Sequence, residues 1–212
     1  SDVCSSDLAA IVRVLDGPTE DNELQYFVME YVPNRTLHEA VLNKQIDRKQ
    51  ALDAILRIGE ALDEAHRHSL IHRDVKPHNI LLDSEWKARL TDFDLVLGPD
   101  NTALSVLGSG KGTYGYAPPE LLHGHPGQDL RVDVYGLAMT TFFVLRGEEL
   151  PFPELSPREA IAALTERASV KDVLRRATAI AKEERHESIL AYCQALNRAL
   201  TESSSPPRAA VL

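Results

Sequence analysis

The sequence predicts an α+β fold, a short strand pair followed by a mainly helical body. Two observations carry this. Apolar runs rich in Val, Ile, Tyr and Phe stand near the start with turn-forming residues between them. From Thr36 onward the pattern changes to N-cap signatures followed by apolar residues at helical spacing. With 212 residues, 43% of them apolar and 26% charged, the chain can bury one sizeable core or two small lobes.

The elements follow in order. "AAIVRVLDG" and "LQYFVMEYV" predict strands near 10–15 and 24–31, with "DGPTEDNE" as the turn and Pro33-Asn34 as the stop. "TLHEAVLN" opens a helix with Thr36 as N-cap and Glu39 three residues on, a capping box. Asp47 and Gln50 open "DRKQALDAILRIGEALDEAHRH" in the same way, and Leu52, Ile55, Leu56 and Leu62 mark its buried face. "NILLD" and "KARLT" are short strands flanking "SEW". Residues 93–128 hold seven glycines and few apolar runs; a long irregular segment inside a domain is usually functional. "VDVYGLAMTTFFVLRG" is apolar nearly all round, a central buried helix stopped by Gly147. Helices near 157–168, 171–182 and 187–200 complete the body, and 201–212 is a Ser/Pro tail expected to be disordered. No internal repeat is evident.

Charge and cysteine usage exclude several functions. The net charge of −9 argues against nucleic acid or an anionic membrane as the main partner. No run of 18 apolar residues offers a membrane span. Cys4 and Cys193 have no zinc-type spacing, and a reducing cytoplasm is the expected location. His66, His68, His123 and His125 form no inward-facing frame and read as surface histidines rather than metal ligands.

The first eight residues, "SDVCSSDL", have neither the basic start nor the apolar core of a signal peptide. They resemble a translated sequencing adapter: TCA GAC GTG TGC TCT TCC GAT CT encodes Ser-Asp-Val-Cys-Ser-Ser-Asp, and the trailing CT specifies Leu. The octapeptide is therefore expected to be non-native, with the native frame continuing upstream.

Chemistry concentrates in "LIHRDVKPHNILLD", residues 70–83, where Asp74, Lys76 and Asn79 stand at spacings that suit phosphoryl transfer to a hydroxyl. Five ordered motifs surround or follow it. "HRDVKPHN" (72–79) resembles the catalytic loop of the eukaryotic-type protein kinases, in particular their bacterial Ser/Thr branch. "DFD" (92–94) stands where that family has Asp-Phe-Gly, and "GTYGYAPPE" (112–120) resembles its substrate-positioning loop. "DVYGL" (133–137) resembles the start of its central helix and "ERHES" (184–188) its C-terminal Arg motif; "YFVMEYV" (26–32) resembles the hinge strand. The resemblance covers residue 9 to about residue 200. It implies a kinase-like fold: a remnant of the β-rich N-lobe at 9–31, a hinge at 32–34 and a complete, mainly helical C-lobe at 35–200.

The resemblance implies roles residue by residue. Asp74 would accept the proton of the attacking hydroxyl, and Lys76 would meet the γ-phosphate. A Lys here, in place of the Ala-Arg pattern of tyrosine kinases, implies Ser/Thr hydroxyls of proteins as acceptors. Asn79 and Asp92 would hold Mg²⁺ with hard oxygen ligands. Met29 resembles the gatekeeper, Glu30 and Val32 would offer backbone groups to the adenine of ATP, and Leu81 would lie beneath it. Arg73 would bind a phosphate on the loop, with Thr102, Ser105 and Ser109 as candidate acceptors, and Thr113 would bond the catalytic pair. Glu120 and Arg185 resemble a buried ion pair, and Asp133 resembles a brace for the catalytic loop. Val14, His72 and Phe93 resemble parts of an apolar column.

The sequence also departs from the family. No lysine precedes Lys44, and Gly17 is the only glycine before the hinge. The Gly-rich loop, the strand lysine and its glutamate partner, which hold the α- and β-phosphates, are therefore missing from these residues. Asp94 replaces a glycine and Pro118 an alanine. The leading expectation is an ATP- and Mg²⁺-dependent Ser/Thr protein kinase whose 212-residue piece is itself nearly inactive and poorly soluble. The alternative is a pseudokinase-type binding module. A small-molecule kinase ranks last, because such enzymes typically lack the Pro-Glu loop.

Overall fold

The structure is a computed structural model that describes residues 10–21, 24–33, 35–93, 115–123 and 129–202. The expectations at residues 1–8, Asp94, Thr102, Ser105, Ser109, Thr113 and His125 and in most of the tail lie outside these residues.

Strand β1 (Val14–Asp21) pairs antiparallel with β2 (Leu24–Met29), from Val14↔Met29 to Asp21↔Leu24. This corrects the expected turn at 16–23, since β1 runs through Gly17 and Pro18 to Asp21. The register shifts between Val14 and Asp16 and between Asp16 and Thr19. Such bulges let a strand take up a proline that cannot donate to the ladder. The expected start of the strand pairs elsewhere. Ile11 bridges Leu90 in parallel, with Val12 N–H donating to Leu90 O at 2.8 Å and Leu90 N–H to Ala10 O at 2.7 Å.

The second sheet is the antiparallel pair β3 (Ile80–Leu82) and β4 (Ala88–Leu90), with Ile80↔Leu90 and Leu82↔Ala88 in register. Asp83 turns the connection by accepting from the N–H groups of Glu85 and Lys87, both at 2.9 Å.

Helices α1 (Leu37–Leu42) and α2 (Arg48–Arg67) both begin with the expected capping boxes, Thr36/Glu39 and Asp47/Gln50. The buried stripe of α2 runs through Ala51, Ala54, Ile55, Ile58, Ala61, Leu62 and Ala65. Leu52 and Leu56 lie at its margin, half-buried. After the short α3 (Pro119–Leu122), α4 (Arg131–Arg146) is buried at every position from Val132 to Val144. Gly147 closes α4 at φ 70, a left-handed conformation that glycine adopts without strain. Helices α6 (Ala168–Ala177) and α7 (Ile189–Thr201) pack against it, and α5 (Pro157–Ala163) packs against α6.

Two predicted helix boundaries move. Helix α5 stops five residues short of the expected 168, and α6 spans 168–177 instead of 171–182. Just past the end of α6, Arg185 holds the chain in a non-helical path: Nε bonds Ala179 O at 2.9 Å and the guanidinium reaches Ile180 O at 3.3 Å. Inside the body, the Tyr192 hydroxyl donates to Thr141 Oγ1 at 2.8 Å, so a buried polar pair is satisfied between α7 and α4. Among the described residues no helix is long and apolar enough to cross a membrane.

Candidate active site

The segment from His72 to Asn79 lies on α4. A Cβ on Gly136 would meet Val75 O at 2.8 Å, so only glycine lets the helix and this loop approach so closely. Asp133, at the start of α4, is buried and accepts from the loop backbone: His72 N–H at 2.9 Å on Oδ2 and Arg73 N–H at 2.7 Å on Oδ1. The bracing role expected for Asp133 thus has its geometry. Arg73 sits at φ 67, a left-handed turn that those two bonds hold.

The predicted catalytic side chains converge. Lys76 Nζ donates to Asp74 Oδ2 at 2.6 Å, and Asn79 Nδ2 donates to the same oxygen at 3.0 Å and to Asp74 O at 2.9 Å. Asn79 is buried, and Asp74 and Lys76 are mostly enclosed. The 3₁₀ turn Pro77–Asn79 brings Asn79 back beneath Asp74. The Asn79 amide nitrogen is committed to Asp74, so its oxygen is the end left for a cation.

Asp92 follows β4 and is exposed, at φ 65. Thr91 N–H donates to Asn79 O at 2.9 Å, which ties the residue before Asp92 to the turn that carries Asn79. The two expected Mg²⁺ ligands therefore come from hydrogen-bonded neighbouring segments. Among the described residues no group of three His, Cys, Asp or Glu could hold a metal by itself. Asn79 and Asp92 fit an Mg²⁺ that takes most of its remaining oxygens from phosphates and water.

His72 differs from the apolar role expected of it. It is buried, and its Nδ1 accepts from Asp74 N–H at 3.2 Å while Nε2 meets Thr91 O at 2.8 Å. An Nδ1 that accepts leaves the proton on Nε2, which then donates to the Thr91 carbonyl. The imidazole is a polar bridge between Asp74 and the Asp92 segment. Phe93 stands edge-on to it, with ring centroids 4.7 Å apart. Val14, the third expected member of the column, is 47% exposed.

On the hinge side, Met29 Sδ receives the Thr91 hydroxyl at 3.9 Å, Val32 is half-buried, and Leu81 lies in β3, half-buried and bridged to Thr36. The Glu30 carboxylate accepts from Arg13 N–H at 3.0 Å and from Arg89 at 2.9 Å. Burial works against this carboxylate, but the Arg13 amide and the charges of Arg89 and Arg13 outweigh it and hold its pKa below the ordinary glutamate value.

The expected Glu120–Arg185 pair is bidentate, at 2.6 and 2.8 Å, with the Arg185 side chain fully enclosed and over the Tyr135 ring at 5.0 Å. Burial, the main cause, pushes the Tyr135 phenol up to about 12.

Sequence reasoning missed two contributors. His66, expected at the surface, is 6% exposed at its side chain, and its Nε2 bonds Asp133 Oδ2 at 2.8 Å. His78 stacks on His38 with centroids 3.9 Å apart, and His38 in turn stacks on Phe143 and bonds Glu149 at 3.0 Å. Burial first, then the His38 and Lys76 charges, lower the His78 pKa. The one available signal for His66 was its place at the inner end of α2, six residues before His72.

The sequence model of the protein kinase domain matches residues 4–211. The chain is 35% identical over 149 residues to the serine/threonine-protein kinase PrkC of Bacillus subtilis, covering 70% of this chain and 22% of that protein. It is 36% identical over 154 residues to the serine/threonine-protein kinase PknB of Mycolicibacterium smegmatis, covering 70% of this chain and 24% of the relative. A probable serine/threonine-protein kinase of Clostridium perfringens is 34% identical over 148 residues, 69% of this chain and 21% of its own length. The chain therefore spans only about a fifth to a quarter of these relatives. The crystal structure of the Mycobacterium tuberculosis PknI kinase domain superposes with a TM-score of 0.71 at 27% identity, covering 91% of this chain and 74% of that one.

Proposed function

The chain belongs to the protein kinase domain family, and from that premise we propose that the protein transfers the γ-phosphate of ATP to Ser or Thr hydroxyls of protein substrates in the cytoplasm. The observation that carries the reading is the Asp74 carboxylate held by Lys76 at 2.6 Å and by Asn79 at 3.0 Å.

Asp74 takes the proton of the incoming hydroxyl as that oxygen attacks phosphorus. Asn79 and His72 fix the carboxylate and the backbone N–H beside it, so little reorganisation is left to the reaction. Lys76 sits at the base and carries the positive charge that the γ-phosphoryl oxygens would meet. Asn79 Oδ1 and the Asp92 carboxylate are the groups that would hold Mg²⁺, which when bound neutralises phosphate charge. Met29, the backbone of Glu30 and Val32, and Leu81 form the adenine side.

The test is transfer of labelled γ-phosphate to a protein carrying Ser and Thr. The 212 residues have no lysine ahead of the hinge to hold the α- and β-phosphates, so transfer by them alone is expected to be slow. Whatever transfer occurs is expected to fall at least a hundredfold in Asp74→Asn. Robust transfer that survives this substitution would overturn the reading. Asp94, standing where the family has glycine, motivates a second reading, a binding module that recruits partners without transfer. Mg²⁺-dependent nucleotide binding counts against it, because a scaffold has no need of a metal site.

A further inference from the structure

The hinge contains an exchange of acceptors that the sequence alone does not announce. Arg13 and Glu30 lie one step beyond the Val14↔Met29 pair of the β1–β2 ladder. In an antiparallel ladder a hydrogen-bonded pair exchanges both N–H···O=C bonds. Here one of the two is made: Glu30 N–H donates to Arg13 O at 2.9 Å. The other is replaced. Arg13 N–H donates to Oε1 of the Glu30 side chain at 3.0 Å.

Further charges fix that carboxylate in place. Arg89 of β4 donates to the same Oε1 at 2.9 Å, and Arg13 Nε reaches Oε2 at 3.4 Å. The Glu30 side chain is only 17% exposed. Arg89 stands opposite Leu81, the residue expected beneath the base, so the ion group spans the hinge and the floor of the same site.

We propose that the Glu30 side chain is a positioning residue for the nucleotide, standing in for its own backbone carbonyl in the ladder so that this carbonyl is released to accept from an exocyclic amino group of the adenine type. The idea rests on the nucleotide-site reading above. A carbonyl rewards a base that presents an amino donor and not one that presents a second carbonyl. The side chain therefore sets base preference through the backbone while touching no base itself. Without the carboxylate, Arg13 N–H recaptures the Glu30 carbonyl and the edge closes.

The experiment compares the 212-residue chain with Glu30→Ala and Glu30→Gln, titrating adenosine, guanosine and inorganic tripolyphosphate by calorimetry. Glutamine keeps an oxygen for Arg13 N–H and alanine does not. Glu30→Ala is expected to lose about tenfold in adenosine affinity and most of the preference over guanosine, with Glu30→Gln retaining most of both. Tripolyphosphate binding should be the same in all three. The Arg13 amide resonance should move in Glu30→Ala and hardly at all in Glu30→Gln. Arg89→Gln loosens the carboxylate from the far side and is expected to weaken adenosine binding in the same direction if an alanine at 30 unfolds the hinge. Unchanged adenosine affinity in a folded Glu30→Ala overturns the proposal and leaves the nucleotide site standing. Equal losses for adenosine and tripolyphosphate overturn it as well, since they mark a general loosening. If the unsubstituted chain binds tripolyphosphate but no nucleoside, the adenine-site reading falls and the proposal with it.

Discussion

The loop from His72 to Asn79 and the N-terminal strand pair are built to different standards. The loop is fixed from several directions. Asp133 takes two of its N–H groups, His66 holds Asp133, His72 bridges to Thr91, and Gly136 lets Val75 settle on α4. Among the described residues, the strand pair and the residues leading into it meet the body through the backbone bonds of Ala10 and Val12 with Leu90, the Glu30–Arg89 ion pair and the weak Thr91–Met29 bond. The strand pair also leaves Val14, Leu15, Val28, Met29 and Tyr31 exposed. The side chains proposed to handle phosphate thus stand on a loop held by many bonds, whereas Met29, proposed for the adenine side, ends a strand pair with exposed apolar residues. Precision is concentrated where a misplacement of about 1 Å is most costly to the chemistry.

The largest effect should come from the helical body. Arg185→Ala removes one partner of the enclosed pair with Glu120 and unbonds the Ala179 and Arg131 carbonyls. A loss of about 3–5 kcal/mol is expected in urea unfolding, because a carboxylate is left without its counter-charge. A loss below about 1 kcal/mol would mean that the body is not held as described.

Acid separates the regions by a smaller amount. The Arg131 side chain, with its N–H and with Lys182, holds the Asp129 carboxyl well below the ordinary aspartate value of 3.8. A depressed folded-state pKa contributes stability that is full above that ordinary value and lost as the pH falls through the folded-state one. Melting temperature should therefore drop on acidification below about pH 4, and Asp129→Asn should flatten that part of the curve. An identical acid limb in the variant would contradict this.

The smallest change should come from the strand pair. Leu15→Lys puts a charge on an exposed position at 58% accessibility, so stability should move by no more than about 0.5 kcal/mol. Self-association, read by sedimentation, should fall, because exposed apolar sheet faces invite pairing. A large loss of stability would show that Leu15 is packed.

Legibility in the sequence follows the range of the interaction. Thr36–Glu39 and Asp47–Gln50 are three residues apart, and their capping boxes were readable at once. The burial of α4 was readable because nearly every position is apolar. The Glu120–Arg185 pair is 65 residues apart and was accessible only through the family resemblance. His66 escaped because its partner is 67 residues away and its helical neighbours Arg67 and His68 are exposed. The run of β1 through Gly17-Pro18 escaped because residues that usually make turns were absorbed by register shifts. At the site, Asp74, Lys76 and Asn79 were legible as residues. The acceptor exchange at Glu30 was not, since it depends on Arg13 and Arg89 arriving from two other strands' edges.

The most direct test is an NMR titration of the isotopically labelled chain with ATP, with and without Mg²⁺. The account predicts Mg²⁺-dependent shifts at Asn79, Asp92 and Lys76, together with Mg²⁺-independent shifts at Glu30 and Val32. Unmoved resonances at Asn79 and Asp92, or shifts there that are the same without Mg²⁺, would contradict it.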